Sequence, residues 1–127
     1  MSKKGSILVI DDEEIVRISC MRILGPAGYD IETASDGTSA LSMLGGDKKY
    51  DLVLTDLKMP NMDGLEVMAE IKKRLPGAKV IIVTGYSTLE TAVKAIKMGA
   101  FNYIEKPFTP ESLLTAIKEA LEEGKAS

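Results

Sequence analysis

The sequence predicts an α/β fold: a doubly wound, five-stranded parallel sheet with helices on both faces. Three observations lead there. Apolar runs of strand length at about 6–10, 30–34, 51–55, 79–84 and 102–105 alternate with five stretches of helical period. The first, third and fourth runs (Ser6-Ile-Leu-Val-Ile10, Asp51-Leu-Val-Leu-Thr55 and Lys79-Val-Ile-Ile-Val-Thr84) are rich in Val, Ile and Leu with little alternation, the mark of parallel strands buried on both faces. Strict strand–helix alternation then implies right-handed crossovers.

Each helix has its own signals. Val16, Cys20, Ile23, Leu24 and Ala27 recur on one helical face, and Gly25-Pro26 with Gly28 ends that helix. Asp36 to Leu44 is a short second helix, with Asp36 as N-cap and Gly45-Gly46 as the stop. Leu65, Met68, Ile71 and Leu75 mark a third, ended by Pro76-Gly77. Leu89, Ala92, Val93 and Ile96 mark a fourth, capped by Ser87 and Thr88 and ended by Gly99. Thr109-Pro110 opens a fifth, with proline at the first helical position and Leu113, Leu114, Ile117 and Leu121 as its inner face.

Bulk properties narrow the function. The 127 residues suit one domain, 1–127 with a core of about 6–122, and such a length folds without a disulfide. The net charge of −3 argues against broad electrostatic binding to nucleic acid. One cysteine, Cys20, cannot form an internal disulfide, so a cytoplasmic protein is expected, with Cys20 a buried apolar residue. No signal peptide and no membrane-length apolar stretch is visible, so no membrane partner is expected; Gly124-Lys-Ala-Ser127 reads as a frayed end or the start of a linker. Histidine is absent, which removes the commonest general base and zinc ligand. Chemistry must therefore run on carboxylates, hydroxyls, lysine and a hard metal.

The ends of the strands carry that chemistry. The first run ends in Asp11-Asp12, the third in Asp56, the fourth in Thr84 and the fifth (Asn102-Tyr-Ile-Glu105) in Lys106-Pro107. In doubly wound sheets ligands bind beyond the carboxyl ends of the strands, where strand order reverses. Three carboxylates, a hydroxyl and an ammonium meeting there suit a divalent cation and a phosphoryl group. The carboxylates repel one another, and a cation relieves this.

These residues resemble the receiver domain of two-component response regulators. Asp11-Asp12, Asp56, Met59-Pro60 with Asp63-Gly64, Thr84-Gly85 and Lys106-Pro107-Phe108 match in order, at the right strand ends, over residues 6–122. Gly85-Tyr-Ser-Thr-Leu-Glu-Thr-Ala-Val93 and Gly99-Ala-Phe-Asn-Tyr-Ile-Glu-Lys-Pro-Phe108 look most like receivers of nitrogen-regulator-type transcription activators. The resemblance implies a flavodoxin-like sheet of order 2-1-3-4-5. It implies a phosphorylation-activated switch that accepts a phosphoryl group from a cognate histidine kinase and catalyses nothing beyond its own phosphorylation and dephosphorylation.

By that resemblance Asp56 is the phosphoacceptor, a carboxylate nucleophile that forms an acyl phosphate. Mg²⁺ (with Mn²⁺ as a substitute) is held by Asp12 and Asp56 directly, by Asp11 largely through water and by the backbone carbonyl of Lys58. Lys106 pairs with Asp56 at rest and with a phosphoryl oxygen afterwards, following a cis peptide at Pro107. Thr84 binds a phosphoryl oxygen, Gly85 leaves room beside it, and Tyr103 is the switch aromatic that turns inward when Thr84 moves. The readout is the face formed by helix four, strand five and helix five, which meets an output domain, an effector protein or a second copy in a homodimer. Lys58 and Tyr86 overhang the acyl phosphate and tune its lifetime. Glu13 and Glu14 read as acidic residues favourable at a helix N-terminus.

Two other classes compete. A haloacid-dehalogenase-like phosphatase also uses an aspartate and Mg²⁺, but wants Asp-x-Asp on its first strand, where this chain has Asp11-Asp12-Glu13. A flavodoxin-type binding module needs a Ser/Thr/Gly-rich phosphate loop after strand one, where two aspartates would repel the phosphate.

Overall fold

The computed structural model describes residues 4–46 and 49–123. The terminal Gly124-Lys-Ala-Ser127 stretch lies outside the described residues. The order is β1 (Ser6–Ile10), α1 (Glu14–Leu24), β2 (Asp30–Ala34), α2 (Gly37–Leu44), β3 (Leu52–Thr55), α3 (Gly64–Arg74), β4 (Lys79–Thr84), α4 (Leu89–Lys97), β5 (Asn102–Glu105) and α5 (Pro110–Glu123). All strands are parallel, in the order β2-β1-β3-β4-β5. The third strand starts one residue later than the apolar run suggests, because Asp51 turns aside and accepts the Ser6 N–H at 2.9 Å.

Alternate residues of the inner strands feed two cores. Leu8, Ile10, Val53, Val80 and Ile82 pack under α2, α3 and α4, with Val67, Met68 and Ile71. Ile7, Val9, Leu52, Leu54, Ile81 and Val83 pack under α1 and α5, with Cys20, Leu24, Leu113 and Ile117. Burial on both faces explains the unbroken Val/Ile/Leu runs, and each such side chain contributes about 1.5–3 kcal/mol relative to exposure. Burial also pushes the Cys20 thiol up to about 12, which leaves it an inert core group.

Caps fix the helix starts. Asp36 accepts the Ser39 N–H at 2.7 Å. Asp63 and Glu66 form a capping box, with Asp63 accepting the Glu66 N–H at 2.9 Å and Glu66 accepting the Asp63 N–H at 3.2 Å. Thr88, not Ser87, caps α4. Gly99 ends that helix at φ 107°, where a side chain would be strained.

Helix α4 departs from a simple amphipathic reading. Its apolar stripe points at solvent: Leu89 is 82% exposed, Val93 42% and Ile96 50%. Only Ala95 is buried. A small residue on the inner side lets the helix lie close to the sheet, so larger groups are left outside. Among the described residues no helix is long and apolar enough to cross a membrane.

Candidate functional site

The strand order reverses between β1 and β3. These strands are neighbours with Ile10 opposite Thr55, so the next residues, Asp11 and Asp56, leave the sheet side by side. The Asp56 N–H donates to the Ile10 carbonyl at 3.1 Å and the Asp11 N–H to the Ala34 carbonyl at 3.1 Å, which holds both at the sheet edge. Both carboxylates are buried, each 2% exposed. Burying a charge is costly unless it is paired. The partner comes from β5. Thr84 lies opposite Glu105, the next N–H, that of Lys106, donates to the Thr84 carbonyl at 2.9 Å, and the Lys106–Pro107 peptide is cis.

The Lys106 ammonium bridges the two acids, with Nζ 2.8 Å from Asp11 Oδ2 and 2.9 Å from Asp56 Oδ2. Exposed Glu13 adds a looser contact at 3.2 Å. Burial disfavours the ammonium, but the hydrogen bonds and charges of Asp11 and Asp56 prevail and hold Lys106 above the usual lysine range. Burial also lifts Asp11 above the usual carboxylate value, against the pull of Lys106 and of the Glu13 N–H. These effects oppose each other across one pair, since whatever favours charged Lys106 also favours charged Asp11. The 2.8 Å contact supports the charged pair. One ammonium shared by two buried acids leaves part of their cost unmet, and a second cation would meet it.

The donor set fits a hard divalent cation. Asp11, Asp12 and Asp56 each offer an oxygen, all within 4.8 Å of one another. Asp56 is held for this by its turn, with Oδ1 accepting the Leu57 N–H at 2.6 Å and the Lys58 N–H at 3.4 Å. Gly64, the first residue of α3, presses on the Asp56 backbone, and its N–H donates to the Leu57 carbonyl at 2.8 Å.

The remaining predicted residues ring this centre. Thr84 is fully buried and its Oγ1 accepts the Tyr86 N–H at 3.1 Å. Gly85 does leave room: a Cβ there would meet only Lys106 Cβ, at 4.0 Å. Tyr86 is 61% exposed, and Lys58 Nζ lies 5.7 Å from its ring centroid, a cation–π pair joining the two positions expected to tune lifetime. Tyr103 is tied to α4, with its hydroxyl 3.0 Å from Thr91 Oγ1. Thr91 completes the α4 capping box, its Oγ1 accepting the Thr88 N–H at 3.1 Å and its N–H donating to Thr88 Oγ1 at 3.0 Å.

An apolar groove opens beside the centre. Ile15, Val16 and Ile23 of α1 face Tyr86, Pro107 and Phe108 across it, and Lys106 also lines it. Ile15 is 70% exposed.

Three partners were not legible in the sequence. Glu13 reads as helix-start acid yet reaches Lys106, Thr91 reads as an ordinary helical residue yet receives Tyr103, and Arg17 bonds the Asp11 carbonyl. Only the Asp-Asp-Glu run hinted at the first, and nothing local hinted at the others.

Comparison with known proteins identifies the family. The family model described as response regulator receiver domain matches residues 7–118. An NtrX-like response regulator from Rickettsia bellii is 44% identical over 118 residues, covering 91% of this chain and 24% of that protein. The DNA-binding transcriptional regulator NtrC of Escherichia coli is 37% identical over 119 residues, covering 94% of this chain and 25% of that protein. The chain thus spans about a quarter of these relatives. Among solved structures, a CheY-like receiver domain protein from Methanospirillum hungatei superposes with a TM-score of 0.91 at 38% identity, covering 96% of this chain and 97% of that one. NtrX from Brucella abortus superposes with a TM-score of 0.90 at 38% identity, covering 97% of this chain and 28% of that one.

Proposed function

The chain belongs to the response regulator receiver family, and from that premise we propose that Asp56 takes a phosphoryl group from a histidine kinase in a Mg²⁺-dependent reaction. The observation that carries this is the Lys106 bridge between Asp11 and Asp56, with Asp12 within reach of both. An Asp56 oxygen attacks phosphorus, the nitrogen–phosphorus bond of the donor breaks, and an acyl phosphate forms. Phosphoryl transfer needs mainly positioning and charge neutralisation. Asp11, Asp12, Asp56 and the Lys58 carbonyl would hold Mg²⁺, which would supply positive charge to phosphoryl oxygens. Lys106 is already beside Asp56 and neutralises another, and Thr84 donates to a third. Incubation with acetyl phosphate and Mg²⁺ tests the reading by intact mass: one phosphate per chain, absent when the metal is chelated beforehand, is the expected result, and continuous turnover of donor without a stable adduct would refute it.

The phosphatase and flavodoxin readings are not supported. The matching proteins are response regulators and receivers.

The switch starts from the bond between Tyr103 and Thr91. An aspartyl phosphate adds about −1.5 to −2 charge and draws Thr84 and Lys106 toward it. Tyr103 then gives up Thr91 and turns inward, loosening the first turn of α4. The exposed Leu89, Val93 and Ile96 stripe carries the change to an output domain, an effector or a second copy. A transcription output, a cytoplasmic location and the absence of direct nucleic-acid contact by this domain belong to the same reading.

The donor's imidazole must reach Asp56, and the groove of Ile15, Val16 and Ile23 is the apolar surface flanking that approach. Ile15→Glu is expected to slow transfer from a kinase that phosphorylates the wild type by about tenfold, some 1.4 kcal/mol. Uptake from acetyl phosphate, which needs no docking, should be unchanged; equal loss from both donors would sink the assignment.

Tyr86 and Lys58 form one cation–π pair, and in this reading they shield the acyl phosphate together. Tyr86→Ala opens a path for water, so the phosphorylated protein should decay about three- to tenfold faster, roughly 0.6–1.4 kcal/mol of barrier. Decay followed by mass gives the answer, and an unchanged or slower rate is the contrary result.

A further inference from the structure

Asp12 is the least supported member of the acidic centre. It is exposed, and among the described residues its carboxylate has no hydrogen-bond or ion-pair partner. Asp11 and Asp56, by contrast, are locked by Lys106 and by backbone N–H groups. The direction in which Asp12 presents its oxygens is therefore inherited from its backbone. That backbone has one side-chain support. Arg17, on the first turn of α1, reaches back across the loop and donates from Nη1 to the Asp11 carbonyl at 2.6 Å. This carbonyl belongs to the peptide unit joining Asp11 to Asp12. The other loop bonds hold the Asp11 N–H, the Asp11 carboxylate and the Glu13 carbonyl, and none of them touches that unit.

The choice of partner is informative. The guanidinium is spent on a neutral carbonyl and not on a carboxylate. Among the described residues Arg17 makes no ion pair. Its attachment to α1 is not needed to seat the helix, which Cys20 and Leu24 anchor in the core.

We propose that Arg17 is a positioning residue for the metal site: it pins the Asp11–Asp12 peptide so that Asp12 joins Asp11 and Asp56 in holding a divalent cation. The inference rests on the metal site proposed above. It makes a prediction opposite to that of simple electrostatics. A positive guanidinium near the site repels a cation, so removing it should tighten binding if charge were its only effect. If it positions Asp12, removing it weakens binding.

The test is the Mg²⁺ dissociation constant of the unphosphorylated protein by titration calorimetry, for wild type, Arg17→Gln and Arg17→Lys, with metal-free Tm alongside. Groups that orient metal ligands typically change affinity 10–100-fold when removed, so Arg17→Gln should weaken Mg²⁺ binding about tenfold or more with little change in metal-free Tm. Lysine keeps a charged donor but a different reach, so Arg17→Lys should fall between wild type and Arg17→Gln. Equal or tighter Mg²⁺ binding by a folded Arg17→Gln overturns the proposal. Should that variant not fold, Arg17→Lys decides: weaker binding than wild type supports the proposal, and equal binding overturns it. Failure of the wild type itself to bind Mg²⁺ would refute the metal site, a result distinct from failure of Arg17 alone.

Discussion

Asp56→Asn is expected to abolish phosphoryl uptake, with no mass gain from acetyl phosphate and Mg²⁺ under conditions that fully modify the wild type. The carboxamide is isosteric but is neither a competent nucleophile nor a negative ligand. Its oxygen can still accept the Leu57 N–H that now holds Oδ1 at 2.6 Å, so the turn after β3 should survive. The other position faces Lys106 at 2.9 Å, and a carboxamide nitrogen there cannot accept the ammonium. Lys106 keeps Asp11, however, and one buried acid has been removed from a crowded group. Loss of a partner and relief of repulsion thus oppose each other, and Tm in metal-free buffer should move by only a few degrees. Mg²⁺ affinity should fall, since one of three carboxylates is gone. A phosphate on the asparagine variant would remove Asp56 from the reaction.

Gly64→Ala is expected to be the most damaging single-methyl change in the chain. A Cβ at this position would overlap the Asp56 carbonyl oxygen, and would stand 2.8 Å from Asp56 C and 2.9 Å from Leu57 Cα. All three are backbone atoms, so no side-chain rotation relieves the clash. Either α3 withdraws, opening the core around Val67, Met68 and Ile71, or the Asp56 turn shifts and takes the nucleophile with it. Overpacking of this kind costs typically 1–3 kcal/mol, and more where backbone must move, so a loss of about 3 kcal/mol is expected in denaturant unfolding. Phosphorylation should fall in whatever fraction remains folded. Gly77→Ala is the internal control: nothing lies within 4 Å of a Cβ there, and the change should stay within about 0.5 kcal/mol. Equal stability of the two variants would show that α3 tolerates the displacement.

The fold was almost wholly legible. Val/Ile/Leu runs located the strands, and Asp36 and Thr109-Pro110 located two helix starts. These signals are short-range: a cap satisfies N–H groups two or three residues away, and a strand buried on both faces must be apolar throughout. The centre was legible for a related reason. Parallel strands all end at one edge, so polar groups at the ends of β1, β3, β4 and β5 had to converge. Helix α4 resisted the same logic. Its period was visible in Leu89, Val93 and Ile96, but a helical stripe carries no information about which way it faces.

Local order and the kinds of chemical group on offer thus came from residues a few positions apart. The division of one ammonium between two buried acids did not. Lys106 is 95 positions from Asp11 and 50 from Asp56, and its contacts exist only because β1 and β3 lie together at the reversal point while β5 closes the row beyond β4. The grip of Arg17 on the Asp11 carbonyl, the bond from Tyr103 to Thr91 and the outward face of α4 are of the same kind. Each depends on distances and directions between packed elements, and the pattern of side chains along one element does not encode them.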